Sequence, residues 1–266
     1  MKRTLAKLLF ATCVAALLLP AAGAATPVVV SHLPSFSHAV KMSSTSSANW
    51  AGWAVTGPKG SVTDVKGSWV VPKVTGCTAG THSYSSFWVG IDGFNSKSVE
   101  QTGTDSDCNG ATPQYYAWYE FYPKPSHLVS GLAISVGDVI SAEVSFSGGK
   151  FTTKITDTTT GHSFSTSASV RAQRTSAEWI AEAPSSTSGI LPLANFGTVS
   201  FGLDNTHVAS TDTATVSGTS SGIGNFSTAV SIDMVGVHNS SLVKASTSAL
   251  STDQTSFTVT WKAAGP

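Results

Sequence analysis

Short runs in which apolar and polar residues alternate with period two fill almost the whole chain after residue 46. No other feature restricts the fold as much. Successive side chains of a strand point to opposite faces, so alternation marks a sheet with one face buried. Candidate strands are Trp50–Val55, Val62–Val71, Ser85–Asp92, Val99–Asp105, Gln114–Tyr122 and Asp138–Phe146. They continue with Phe151–Asp157, Ser163–Val170, Ala177–Ala183, Ala194–Leu203, Ala229–Val235 and Ser256–Trp261. Gly, Pro, Asn or Ser separates nearly every pair, and no segment after the N-terminus sustains an apolar stripe of helical period. Many short strands with turn residues between them predict an all-β domain, a β-sandwich or jelly-roll.

The N-terminus has a different character. Lys2, Arg3 and Lys7 precede an apolar run from Leu8 to Leu19, then Pro20 and the small residues Ala22-Gly23-Ala24. That order predicts a secretory signal peptide over residues 1–24, with an apolar run too short to anchor the chain in a bilayer. Residues 25–46 hold Pro27, Pro34, His32, His38 and Lys41 with no acidic residue, and end in a Ser/Thr run. They read as a weakly structured propeptide or linker, whose cationic character could cover an acidic cleft during export. Residues 47–266 form the expected domain.

Beyond residue 46 the chain has 11 basic and 15 acidic residues, and no cluster of Lys or Arg. Nothing there suggests a nucleic-acid partner, and no second long apolar run suggests a membrane. Charged residues make up only 11% of the chain, against about 25% in an average protein; Ser, Thr and Gly take the surface role. Such a surface has little charge to gain on acidification. Cys77 and Cys108 remain once Cys13 leaves with the signal, and an exported chain with one pair is expected to join them.

Two strands bring acids together with aromatics. Alternation puts Tyr116, Trp118, Glu120 and Tyr122 on one face of Gln114–Tyr122, and Trp88 with Asp92 on one face of theirs. In Ala177–Ala183, Glu178 and Glu182 share a face with Ile180. A row of large aromatics that includes carboxylates is not what core packing favours, and describes a groove for an extended polymer. Carboxylates beside it suggest proton transfer or nucleophilic attack. Peptide and polysaccharide fit equally at this point, so a protease, a jelly-roll glycoside hydrolase and a polysaccharide-binding module all remain open. His-Glu-x-x-His and Asp-Thr-Gly motifs are absent, no Gly-x-Ser-x-Gly stands at a strand-to-helix elbow, and no metal or cofactor is expected.

Five motifs in order carry a family resemblance. They are Asn49-Trp50-Ala51-Gly52, Phe87-Trp88-Val89-Gly90-Ile91-Asp92-Gly93, Gln101-Thr102-Gly103-Thr104-Asp105, Ala117-Trp118-Tyr119-Glu120-Phe121-Tyr122-Pro123 and Ala177-Glu178-Trp179-Ile180-Ala181-Glu182. Together they resemble the glutamic peptidases, or eqolisins, over roughly residues 47–262. The resemblance implies a concanavalin-like β-sandwich of two antiparallel sheets. It also implies a secreted, monomeric acid endopeptidase that cuts protein or peptide substrates without a cofactor, unaffected by pepstatin. By motif the catalytic pair is Gln101 and Glu182. Trp88, Asp92, Asp105, Trp118, Glu120 and Tyr122 fall on cleft positions, with Glu178 in support. Tyr116 departs from the family, standing where fungal members have an acid.

Overall fold

The computed structural model describes residues 36–41, 44–187 and 189–265. The expected signal peptide and the first part of the leader lie outside the described residues. In chain order the strands are β1 (Phe36–Lys41), β2 (Ser44–Ser47), β3 (Trp50–Thr56), β4 (Val62–Val70), β5 (His82–Ser83), β6 (Ser86–Ile91) and β7 (Glu100–Asn109). Next come β8 (Thr112–Phe121), β9 (His127–Ala133), β10 (Val139–Ser147), β11 (Lys150–Asp157), β12 (Ser163–Ala168), β13 (Ser176–Glu182), β14 (Ser185–Ser186) and β15 (Gly189–Ile190). The last are β16 (Thr198–Phe201), β17 (Thr213–Val216), β18 (Thr219–Gly222), β19 (Ala229–Val235), β20 (Val243–Thr247) and β21 (Phe257–Trp261), with one short helix, α1 (Leu203–Thr206).

Strand pairing builds the sandwich. The first sheet runs β1-β2-β19-β3-β13-β6-β7-β8-β9, antiparallel except where β2 lies parallel to β19. The second runs β12-β11-β10-β4. The free edge of β4 then takes β17 along one half and β16 along the other, and β16 continues through β21 and β20 to β19. β19 therefore belongs to both layers and closes one side.

Between the layers lies the main core, with Val65 and Trp69 of β4 and Ile140, Ala142 and Val144 of β10 facing Phe87, Val89, Ala177, Trp179 and Ala181. Two indoles tie the sheets together. Trp179 Nε1 donates to the Lys66 carbonyl at 2.7 Å, and Trp69 Nε1 donates to Thr104 Oγ1 at 2.9 Å. Gly67 is the seat for this contact, because a β-carbon there would stand 2.4 Å from Val89 and 2.9 Å from the Trp179 ring.

The two sheets differ on their outer faces. β10 alternates buried and half-exposed residues as a half-solvated strand should, whereas every residue of β6 and β13 is buried. A second apolar cluster lies on the outer face of the first sheet: Trp50, Ala54, Trp88, Val99, Trp118, Ile180 and Ile232.

Most predicted strands appear within two residues of their expected ends. β9, β17, β18 and β20 were not anticipated; three are Ser/Thr-rich, and the one that alternates cleanly, β17, does so over only four residues. Ala194–Leu203 narrows to β16. The leader is also more ordered than expected, since β1 and β2 pair within it. Cys77 and Cys108 form the expected disulfide, fastening the loop before β5 to the end of β7.

Several carboxyls are buried in this fold. Burial, with the charge of Asp92 adding to it, pushes Glu100 up to about 9. Burial and a hydrogen bond shared with Glu143 push Asp64 up to about 7. Such groups bind their proton more tightly folded than unfolded. Their stabilising contribution is complete below the ordinary carboxylate range and is lost as pH rises through about 7 for Asp64 and about 9 for Glu100. Urea unfolding should therefore show highest stability in acid and a decline that starts above the ordinary carboxylate range and ends at about 9. Glu100→Gln, which has no proton to lose, should flatten that decline; an unchanged slope would remove Glu100 as its source.

Candidate active site

Strand register assembles the outer face of the first sheet into three rows that cross β3, β13, β6, β7 and β8. The first row is Trp50, Glu182, Ser86, Asp105 and Tyr116. The second is Gly52, Ile180, Trp88, Gly103 and Trp118, and the third is Ala54, Glu178, Gly90, Gln101 and Glu120. Directly opposed residues share a face, so the acids, the aromatics and the amide singled out by motif stand together.

Glycines set the spacing of this surface. A β-carbon at Gly103 would meet the Phe87 carbonyl at 2.3 Å and the Trp88 β-carbon at 2.6 Å. One at Gly90 would meet the Trp88 ring at 2.9 Å and the Gln101 β-carbon at 3.2 Å. Trp88 thus lies across the rows, with its six-membered ring beside Gly90 and Gln101. Its Nε1 donates to Glu182 Oε2 at 2.8 Å, and its ring meets Trp50 edge-on with centroids 4.8 Å apart.

Glu182 is fully buried. Asn49 Nδ2 donates to its Oε1 at 3.1 Å, and the Trp50 indole adds to the donors around it. Ser47 accepts the backbone N–H groups of Asn49 and Trp50 and bonds the Asn49 side chain, which holds that donor in place. Burial still dominates and holds the Glu182 carboxyl well above the usual range, with the Trp88, Trp50 and Asn49 donors pulling it back only in part. Gln101, also fully buried, donates its Nε2 to Glu120 Oε2 at 2.6 Å. On a flat sheet, two strand spacings and four residue rises would separate the α-carbons of Gln101 and Glu182 by about 16 Å. The two side chains face the space over Trp88 from opposite corners.

A second group of acids adjoins the first row. Ser86 Oγ donates to Asp105, the Ser85 amide donates to Asp107 Oδ1 at 3.0 Å, and Tyr116 donates its hydroxyl to Asp107 Oδ2 at 2.6 Å. Burial, then the charge of Asp105, raises Asp107 well above its ordinary value. Burial raises the Tyr116 phenol as well, so it stays a donor. Glu178 stands in the row of Gln101, accepts the Phe94 amide at 3.3 Å, and is raised by burial.

Trp88, Gln101, Asp105, Trp118, Glu120, Glu178 and Glu182 all stand on the predicted face, and Tyr122 packs at its margin. Asp92 does not. It lies just past β6 with φ 72°, and its carboxylate turns to accept the backbone amides of Gln173, Arg174 and Thr175 at 2.7, 2.6 and 2.9 Å. Strand alternation with Trp88 fails because the strand has already ended, and Asp92 braces the chain entering β13. Asn49, Trp50, Ser86 and Asp107 were missed as site residues. Asn49 and Trp50 lie in the first motif, and only pairing with β13 reveals their partner.

Residues 48–261 match the sequence profile described as the Peptidase A4 family. The chain is 34% identical over 180 residues to Aspergillopepsin-2 of Aspergillus niger, a stretch that covers 58% of this chain and 62% of that one. It is 36% identical over 143 residues to Scytalidopepsin B of Scytalidium lignicola, covering 51% of each. The matches thus span less than two thirds of these curated relatives. Among solved structures, scytalido-glutamic peptidase with a transition state analog inhibitor superposes with a TM-score of 0.65 at 27% identity, covering 81% of this chain and 98% of that one. Aspergilloglutamic peptidase from Aspergillus niger gives 0.55 at 30% identity, covering 68% and 99%.

The donors around Glu182 make a direct prediction. Trp88→Phe keeps a ring and removes the N–H, so the carboxyl, already high, should rise further. Carboxyl carbon shifts followed by NMR titration would read this; a fall in the Glu182 midpoint would contradict the arrangement.

Proposed function

The chain belongs to the Peptidase A4 family, and from that premise we propose that it is an exported endopeptidase acting in acid, with Glu182 as general base and Gln101 as oxyanion donor. The observation that carries the reading is the pair of held side chains facing each other across Trp88: a carboxyl surrounded by N–H donors, and an amide whose nitrogen is fixed by a carboxyl. Export is supported by the order of the first 24 residues and by the disulfide.

In this mechanism ionised Glu182 takes a proton from a water that adds to the scissile carbonyl carbon. The carbonyl oxygen becomes an oxyanion and accepts a hydrogen bond from the Gln101 amide nitrogen, which Glu120 orients. One such donor is worth about 3–4 kcal/mol. The tetrahedral species collapses with cleavage of the C–N bond, and Glu182 returns its proton to the leaving amine.

Burial gives the acid limb its position. A carboxyl raised above its ordinary value is a stronger base once ionised, and it needs a higher pH to ionise. Activity should rise as Glu182 deprotonates, above the ordinary carboxylate range, then fall where the raised structural carboxyls ionise. The optimum is therefore weakly acidic. A glycosidase built on Glu178 and Glu182 fits less well. Ile180 stands between them on the strand, and each carboxyl is held by its own donor, the Phe94 amide for Glu178 and the Trp88 indole for Glu182.

The full chain should digest denatured protein between pH 4 and 6 with pepstatin present. Gln101→Ala and Glu182→Gln should each lower kcat at least ~100-fold in a protein that still melts cooperatively, while Glu178→Gln retains most activity. The reverse result, with Glu178→Gln dead and Glu182→Gln active, would move the base to the acid in Gln101's own row. Loss of activity to pepstatin would reject the class.

A further inference from the structure

Past the Gln101 row, where β7 begins and β8 ends, lies a pocket of a different kind. Val99 and Tyr122 are joined by a 2.9 Å backbone hydrogen bond and form the edge of the apolar cluster. Their chain neighbours Ser98 and Pro123 line a cavity of about 400 Å³, together with Lys59, Lys97, Arg171, Ala172 and Gln173. Three of the lining residues are cations and none is acidic. This is out of proportion for a domain in which acids outnumber bases by 15 to 11.

Nothing nearby spends these charges. Among the described residues the ion pairs are those of Lys66 with Asp64 and Glu143, on the outer face of the second sheet. Asp92 is the carboxylate closest in the bonding pattern, and its oxygens are taken by the amides of residues 173–175. Arg174 places its guanidinium over the Phe146 ring at 4.0 Å instead of joining the group. Clustered like charges without counter-charge repel one another and create a positive potential that an anion relieves. A guanidinium fork and two ammonium groups suit a carboxylate or phosphate.

We propose that this cavity is a subsite of the cleft that takes an anionic side chain of a bound peptide. The inference rests on the peptide-cleft reading above. Ser98 lies three residues along the chain from Gln101, so at strand rise the anion would belong to a residue about three positions from the scissile bond. The subsite would thus set a preference for acidic or phosphorylated sequence on one side of the cut, while the apolar face holds the bond itself.

Binding tests the subsite without requiring catalysis. The full chain carrying Glu182→Gln is titrated at pH 5 with fluorescent peptides that differ only in Glu, Gln or phosphoserine, moved position by position on both sides of a central apolar pair. One position should show about tenfold tighter binding for Glu over Gln, from contacts of roughly 1.4 kcal/mol in sum. That preference should shrink with added salt. In Lys97→Ala/Arg171→Ala it should fall to twofold or less. A preference shown by phosphoserine alone would support the anion site and name phosphate as its ligand. Equal binding of all three peptides at every position, or a preference that survives the double substitution, overturns the subsite. If wild-type chain cuts none of these peptides while the preference stands, the proteolytic reading fails and the anion site remains.

Discussion

A sheet with both faces buried has no water to spare for its polar side chains, and the whole first layer is arranged around that constraint. β6 and β13 have no exposed residue, yet the outer face of this sheet carries Glu178, Glu182, Gln101, Asp105 and Glu120. Each of these groups must find donors or acceptors on its neighbours or remain uncharged. Glu182 finds indole and amide N–H groups, Gln101 finds Glu120, and Asp107 finds a tyrosine and a backbone amide. Where donors fall short of the cost of burial, the carboxyl holds its proton. The raised values of Glu100, Glu178 and Glu182 have this common origin. A stability maximum in acid and a base suited to weak acid are then two consequences of one packing arrangement.

Trp88 links the packing to the chemistry. Its ring can lie flat across the rows because Gly90 and Gly103 carry no β-carbon, and the same pose aims Nε1 at Glu182. A smaller residue would leave the cluster with a void and the carboxyl with one donor fewer. Larger residues at either glycine would lift the ring. The spacing of the proposed catalytic pair is therefore a property of sheet register and two missing side chains, supported from behind by the Trp179 and Trp69 indoles that lock this layer to the other.

Tyr116 shows how a substitution in such a surface is accommodated. An acid there would be a third carboxyl beside Asp105 and Asp107, and at least one of the three would have to keep a proton to be tolerated. The tyrosine hydroxyl supplies that proton as a fixed donor to Asp107 without adding a charge.

Period-two alternation and turn residues alone determined that this chain is all-β, because side-chain direction in a strand follows from local geometry. The same alternation correctly sorted Trp118 and Glu120 from Tyr119 and Phe121, and set Glu178 and Glu182 on one side with Ile180. It failed at Asp92, where a left-handed residue ends the strand and aims the carboxylate at the backbone of residues 173–175. It could not find Asn49, Ser86 or Asp107 either, since nothing local distinguishes a residue that will lie opposite Glu182 from one that will face solvent. Those roles depend on which strands pair and in what register. Pairing is a non-local choice, made when the two buried faces of the first sheet are closed together. The same is true of the pocket formed by Lys59, Lys97 and Arg171, whose charges are scattered over more than a hundred residues and meet only where three loops converge beside the cleft.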